Sequence, residues 1–164
     1  MKQYSDRGRG IAAETPSIRD LVSYRLSRAA SLISRGAALR YRREFDVSLG
    51  EWRALALLAT GTPPSLMQLA RAAGLDKAQM SRVVSSLVGR DLVAREGSGR
   101  SACLTLTPAG RSLYGSLIAA AGERDRALRA TLSAEELAVL ETVLAKLVVQ
   151  ARQFIEAEAQ TGET

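Results

Sequence analysis

The run from Ser65 to Gly110 constrains the fold of this chain more than any other segment. It opens with Ser65-Leu-Met-Gln68, a capping box in which each of the two side chains satisfies a free backbone amide at a helix start. Gly74 then supplies the left-handed conformation that ends a helix, and Asp76 is the expected N-cap of the next one. Two helices separated by so few residues must turn sharply, so the run predicts a helix-turn-helix.

The second helix of this unit has two faces of opposite character. Its apolar residues recur at positions i, i+3, i+4, i+7 and i+8, which places them on one side of an α-helix. The opposite side carries small and polar residues, which let a helix backbone enter a groove and form hydrogen bonds there. The apolar side consists of Met80, Val83, Val84, Leu87 and Val88, and the small and polar side of Ala78, Gln79, Arg82, Ser85 and Ser86.

A hairpin pattern follows directly. Residues 91–96 and 100–106 have strand character, and Gly97-Ser98-Gly99 lies between them. Thr107-Pro108 then supplies an N-cap and a first-turn proline for another helix. A helix-turn-helix followed by a hairpin is a winged helix-turn-helix, so the predicted fold class is mainly α with a small β-wing.

The terminal segments predict long helices. The first is expected from Ser17 to about Arg43, and the last starts after a capping box at Ser133 to Glu136. Both have apolar arcs wider than a surface helix needs, so we expect them to pair with a second copy; the alternative is that they wrap their own domain. The predicted organisation is a flexible N-terminal arm over 1–16, an N-terminal dimerisation helix over 17–47, a winged helix-turn-helix lobe over 48–107 and C-terminal dimerisation helices over 108–164.

Charge and composition narrow the function. The 164 residues carry a net charge of +6, and residues 65–100 hold six basic and three acidic side chains, a balance suited to a polyanionic partner. With no histidine and one cysteine, Cys103, the chain can form neither an internal disulfide nor a His-based metal site. No carboxylate pair or glycine-rich phosphate loop stands out, so we expect no enzyme, no cofactor and no metal. No apolar run could span a bilayer and no signal peptide is evident, so we expect a cytoplasmic protein without membrane contact.

These features together predict contact with double-stranded DNA. Gln79 suits the edge of adenine and Arg82 that of guanine in the major groove. Arg100 is expected to enter the minor groove, as is Arg95 unless it braces the wing against the helix ends. The polar face could instead be an ordinary solvated surface. The predicted DNA-binding set is Ser65, Gln68, Arg71, Lys77, Ala78, Gln79, Ser81, Arg82, Ser85, Ser86, Arg95, Ser98 and Arg100, of which Ser65, Gln68, Arg71, Lys77 and Ser81 are assigned to phosphates.

From about residue 17 onwards the chain resembles the MarR family of bacterial transcriptional regulators. The resemblance implies a winged-helix homodimer whose terminal helices intertwine and whose two lobes contact successive major grooves of a pseudo-palindromic operator. It also implies regulation by a small phenolic or otherwise lipophilic effector bound between the dimerisation helices and the lobe, and we expect a repressor. The segments that carry the resemblance are Leu49-Gly-Glu-Trp52, Leu55 to Leu58, Leu69-Ala70, Gly74-Leu75, Ser81-Arg-Val-Val84 to Leu87, Asp91-Leu-Val-Ala-Arg95 and Leu106-Thr-Pro-Ala-Gly110.

The wing departs from the family pattern. Members usually carry Asp-x-Arg before the last strand, whereas this chain has Ser98-Gly99-Arg100. The arginine is present and the acid that would brace it is absent, which implies a more mobile wing. The alternative function is a winged helix that coats DNA non-specifically or contacts protein, with no effector.

Four side chains are candidates for the effector pocket: Tyr24, Arg25, Arg28 and Trp52. Arg25 falls within the apolar arc of the first helix, where a buried guanidinium would need an anionic partner such as an effector carboxylate, unless an ion pair or water serves instead. Trp52 is also a candidate for the core. Cys103 alternates with the apolar residues of its strand, and we expect no sensing role for it.

Overall fold

The computed structural model describes residues 17–61, 65–97 and 103–161. Over these ranges the chain forms six α-helices and one antiparallel pair of strands, preceded by a 3-10 helix, Ile18–Asp20. The predicted fold class, mainly α with a small β-wing, is confirmed. In chain order the elements are α1 (Val22–Phe45), α2 (Leu49–Ala59), α3 (Leu66–Ala73), α4 (Lys77–Gly89), β1 (Val93–Glu96), β2 (Cys103–Leu106), α5 (Pro108–Arg129) and α6 (Ala134–Thr161).

The described residues fall into two compact units, one that ends at Leu49 and one that begins at Gly50. The first unit contains the 3-10 helix and α1. The 24 residues of α1 correspond to about 36 Å of helix, and Asp46 ends it in the left-handed conformation. The predicted arm over 1–16 lies outside the described residues.

The first helix starts later than the sequence predicted. Ser17 caps only the 3-10 helix, since its side chain accepts a hydrogen bond from the Arg19 amide at 3.3 Å. Leu21 then has an extended backbone, which separates that turn from α1. Arg25 of α1 contacts the 3-10 helix, since its Nε donates to the Arg19 carbonyl oxygen at 3.1 Å. The apolar periodicity of the sequence continues through this interruption at Leu21, so periodicity alone predicts one uninterrupted helix.

The helix-turn-helix begins and ends where local patterns predicted. Ser65 Oγ accepts from the Gln68 amide at 3.3 Å, and Gln68 Oε1 accepts from the Ser65 amide at 3.0 Å, so the predicted capping box opens α3. Gly74 ends α3 at φ +69°, a left-handed conformation that glycine adopts without strain. The Asp76 carboxylate accepts from the Gln79 amide at 2.7 Å and starts α4.

The core of the second unit is built from the apolar sides of α2, α3 and α4. On α4 the predicted apolar side is confirmed, with Val83 and Val88 half-buried at its margins. Removal of these side chains from water is the main stabilising contribution to such a lobe. The buried apolar residues on these helices are Ala54, Leu55 and Leu58 of α2, Leu69, Ala70 and Ala73 of α3, and Met80, Val84 and Leu87 of α4.

The wing pairs β1 with β2 in antiparallel register, with Val93 opposite Leu106 and Arg95 opposite Leu104. Because side chains alternate across a strand, Val93, Leu104 and Leu106 share one face, and all three are buried. Cys103 lies on the other face, as its alternation predicted, and is half-buried. The predicted strand residues 100–102 lie outside the described ranges.

The start of α5 is fixed to the loop between α4 and β1. Thr107 Oγ1 accepts from the Gly110 amide at 3.0 Å and donates to the Asp91 carbonyl oxygen at 2.7 Å. A Cβ at Gly110 would collide with the carbonyl oxygen of Leu92, so glycine is required for this approach. The Thr-Pro-Ala-Gly segment thereby holds the base of the wing.

The last helix, α6, has 28 residues, about 42 Å, and the structure describes them all. Its start is the predicted capping box, since Ser133 N–H donates to Glu136 Oε2 at 2.8 Å and Glu136 N–H to Ser133 Oγ at 3.2 Å. None of its residues is buried within the single chain. Its exposed apolar side chains are Val139, Leu140, Val143, Leu144, Val148, Val149, Phe154 and Ile155.

Candidate DNA-binding interface

The outer face of α4 is polar, small and accessible. Lys77, Gln79 and Arg82 are exposed, whereas Met80, between them in sequence, is fully buried on the inner side. Ala78 and Ser81 are exposed as well and add little bulk. The helix is therefore oriented with its hydrogen-bonding residues outward.

The side chain of Gln79 has a partner within its own helix start, which its residue type alone did not predict. Its side-chain Oε1 accepts from the Asp76 amide at 3.1 Å, so Asp76 and Gln79 form a reciprocal capping box. The same spacing, at Ser65 and Gln68, predicts the box that opens α3. The Asp-x-x-Gln pattern was thus a usable signal for this contact.

Ser86 is held by α2 and so differs from Ser85. Its hydroxyl donates to Glu51 Oε1 at 2.7 Å, and Arg90 Nη1 lies 3.4 Å from the same oxygen. Glu51 is 5% exposed, and it is the only charged residue that is buried among the described residues. A buried carboxylate needs such partners, because desolvation disfavours an unpaired charge. The structure therefore places Ser86 in a clasp between α2 and α4, formed by Glu51, Ser86 and Arg90.

The predicted phosphate-contacting residues of α3 lie at its accessible ends. Ser65 and Gln68 are exposed at the first turn and Arg71 near the last. Arg53 of α2 connects to the C-terminal end of α3 by donating from Nη1 to the Ala73 carbonyl oxygen at 3.0 Å. This contact fixes α3 relative to α2.

The wing contributes one described candidate. Arg95 is exposed, although its register places it on the same strand face as Val93 and Leu104. That position leaves both of its predicted roles open, groove insertion and bracing of the wing. Ser98 and Arg100 lie outside the described residues.

The four effector candidates are divided between the two units. In the first unit Tyr24 is half-buried and Arg28 is exposed. The side chain of Arg25 is 69% exposed and forms an ion pair with Asp20 at 3.5 Å. Its anionic partner in the single chain is therefore an aspartate of the same unit. In the second unit Trp52 stacks on Tyr114, with ring centroids 6.1 Å apart and planes inclined by 16°.

Two surface pockets lie within the second unit. Trp52, Arg53 and Arg71 contribute to one of about 520 Å³ between α2 and α3. The other, of about 460 Å³, is lined by residues of α2, β2 and α5, including Arg111 and Tyr114. Each pocket therefore combines at least one arginine with an aromatic ring.

Over residues 17–61, 65–97 and 103–161, no group of three or more Cys, Asp or Glu side chains is arranged to hold a metal ion. Nor does the described part of the chain contain a helix that is both long and apolar enough to cross a bilayer.

A family model described as the MarR family matches residues 45–102, which include the whole helix-turn-helix. A search of curated protein sequences finds no match.

Solved structures give the same fold. A MarR/EmrR family transcriptional regulator from Acinetobacter sp. ADP1 is 25% identical, with 80% of this chain and 94% of that chain covered at a TM-score of 0.73. A MarR family protein of Mycobacterium tuberculosis, in complex with salicylic acid, is 27% identical, with 84% and 99% covered at a TM-score of 0.64. MepR of S. aureus, in complex with DNA, is 19% identical, which shows the fold alone, with 82% and 99% covered at a TM-score of 0.70. Residues 45–102 thus match the MarR family, and over about four fifths of its length the chain has the fold of a MarR/EmrR family transcriptional regulator.

Proposed function

We propose that the chain is a homodimeric repressor that binds a pseudo-palindromic operator through α4 of each copy. In this proposal a small phenolic or otherwise lipophilic molecule releases it from the operator. The observation that carries the proposal is the outer face of α4, where Lys77, Gln79 and Arg82 are exposed above a fully buried Met80. A helix with this division is suited to the major groove, which is about 12 Å wide.

The roles within the interface follow from position on the helices. Arg82 lies one turn into α4, where its guanidinium would reach a base edge. Lys77 and Ser81 flank that face and would bind phosphates, as would Ser65, Gln68 and Arg71 of α3. Ala78 and Ser85 would allow close approach of the helix backbone.

A second copy of this chain is the proposed partner of the terminal helices. On α6, Leu140, Leu144 and Phe154 are 41%, 42% and 63% exposed, and on α1 Leu32 and Leu39 are 62% and 64% exposed. Soluble monomers rarely expose continuous apolar surfaces of more than a few hundred Å². Both helices are also far longer than a lobe of this size needs. Pairing with a second copy would bury these faces and place two α4 helices on one duplex.

For the effector we propose a small aromatic acid, and Tyr24, Arg25, Arg28 and Trp52 remain its candidate contacts. The support is a MarR family relative in complex with salicylic acid and the pocket beside Trp52. That pocket contains Arg53 and Ala73, whose hydrogen bond joins α2 to α3. An anion that attracted the Arg53 guanidinium would weaken this contact and could shift the helix-turn-helix.

The proposal is tested by footprinting the purified protein on genomic fragments. We expect protection of discrete pseudo-palindromes and loss of protection on addition of salicylic acid or a related phenol. Arg82→Ala should weaken binding to the protected site by about 1–3 kcal/mol and relax the base preference there. Uniform coating of all fragments would instead favour a non-specific role.

A further inference from the structure

Both helices of the helix-turn-helix begin with the same device. At the start of α3 the Ser65 amide donates to Gln68 Oε1 at 3.0 Å, and at the start of α4 the Asp76 amide donates to Gln79 Oε1 at 3.1 Å. In each pair the Gln backbone amide donates back to the capping side chain. Two glutamines of the predicted DNA-binding set are therefore fixed by their own helices.

This geometry determines which end of each amide is free. The partner of each side chain is a backbone N–H, which can only donate, so the atom facing it must be the carbonyl oxygen. The amide nitrogen, with its two N–H groups, is consequently the outer end. Gln79 is exposed, so its free end is accessible to a ligand as a donor.

Adenine and guanine present different hydrogen-bonding groups in the major groove, so they require different groups from a glutamine side chain. Adenine presents one acceptor, N7, and one donor, N6, and a bidentate glutamine must offer both its oxygen and its nitrogen. Guanine presents two acceptors, N7 and O6. A glutamine whose oxygen faces a capping amide presents its two N–H groups outward and matches guanine. To read adenine, the same oxygen would have to face the base as well and accept from N6 with its second lone pair.

We propose that Gln79 reads guanine, and not adenine, because the capping box with Asp76 turns its carbonyl oxygen toward the backbone and its amide N–H groups outward, toward the base. The inference rests on the proposed function and names the base that this residue selects. It reverses the adenine assignment made from the residue type alone. Gln68, in the matching box of α3, is by the same argument a donor to a phosphate oxygen.

Arg82 makes the prediction more specific. It lies three residues after Gln79, about 4.5 Å along the helix, and it too can only donate hydrogen bonds. Base pairs are stacked about 3.4 Å apart. Each half-site should therefore contain two guanines at adjacent or next-adjacent base pairs, one read by each side chain.

The test compares wild type, Gln79→Glu and Gln68→Glu on a footprinted operator in which each base pair is replaced in turn. Glutamate retains an acceptor for the capping box and removes the outer donors. For wild type, replacing the guanine assigned to Gln79 by adenine should weaken binding roughly 5- to 150-fold. Gln79→Glu should lose this discrimination between guanine and adenine. The matched control, Gln68→Glu, should weaken binding to every duplex and retain the discrimination.

A second measurement needs no variant. Substitution of 7-deazaguanine removes the N7 acceptor and should weaken wild-type binding at two positions in each half-site, only one of which stays sensitive in Gln79→Glu. A wild-type preference for adenine at the position altered by Gln79→Glu would overturn the inference alone, as would a base preference unchanged in that variant. A wild type without any preferred sequence would overturn the proposed function as well.

Discussion

Glu51 shows how one residue can serve two elements. It lies in the first turn of α2, and its carboxylate contacts Ser86 of α4 and Arg90, the residue directly after α4. Ser86 follows Glu51 by 35 positions, and no local pattern joins residues so far apart. From the sequence, Ser86 was predicted only to lie on a polar surface. Its hydrogen bond with Glu51 depends on how α2 packs against α4, which the sequence pattern does not reveal.

Ser86→Ala should destabilise the protein by about 1–2 kcal/mol, because Glu51 would lose a hydrogen bond inside a buried site. Ser85→Ala is the matched control, since Ser85 is a neighbouring exposed serine on the same helix. Its effect should stay within about 0.5 kcal/mol. Urea denaturation of both variants measures the difference. Equal stability of the two would show that the clasp contributes nothing.

Lys77 tests the assignment of charges to phosphates. Lys77→Ala should weaken binding to all duplexes, and the slope of log K against log salt should fall by about one, since one fewer counterion is released. Titrations at several salt concentrations on operator and random DNA provide the measurement. A slope equal to that of wild type would exclude Lys77 from the phosphate contacts.

Helix boundaries were predictable wherever a short motif determines them. Ser65, Asp76, Thr107 and Ser133 all cap helices as the sequence indicated, because a cap depends on residues only three positions apart. The interruption at Leu21 was missed because the apolar period continues through it. For the candidate interface, the outward face of α4 followed from periodicity, whereas the orientation of the Gln79 amide depends on a hydrogen bond that periodicity does not reveal.

The Gly110 contact between α5 and the loop before β1 is a further test of an element boundary. Gly110→Ala should destabilise the protein by about 3 kcal/mol, because the added methyl group meets the rigid Leu92 carbonyl. Gly115→Ala, also in α5, would place its methyl group in open space and should stabilise the protein by about 0.5–1 kcal/mol. Thermal unfolding of both variants is the measurement. A neutral Gly110→Ala would mean that this approach is not tight.

The uncovered apolar faces of α1 and α6 concern the assembly rather than the single chain. Leu140→Glu with Leu144→Glu should yield monomers and weaken operator binding at least tenfold, because charges would enter the proposed interface and the two lobes would bind separately. Thr142→Glu with Ala145→Glu adds the same charge to exposed positions on the opposite side of α6. Light scattering should find this control dimeric. A dimer in the first variant would place the interface elsewhere.

The stoichiometry and footprint of the protein on its operator, measured together by native mass spectrometry and hydroxyl-radical cleavage, provide the most direct test. We predict two chains per duplex and two protected half-sites, one helical turn of about 10 base pairs apart or a multiple of it. One chain per duplex, or protection without paired half-sites, would contradict a dimer that presents two α4 helices to successive major grooves.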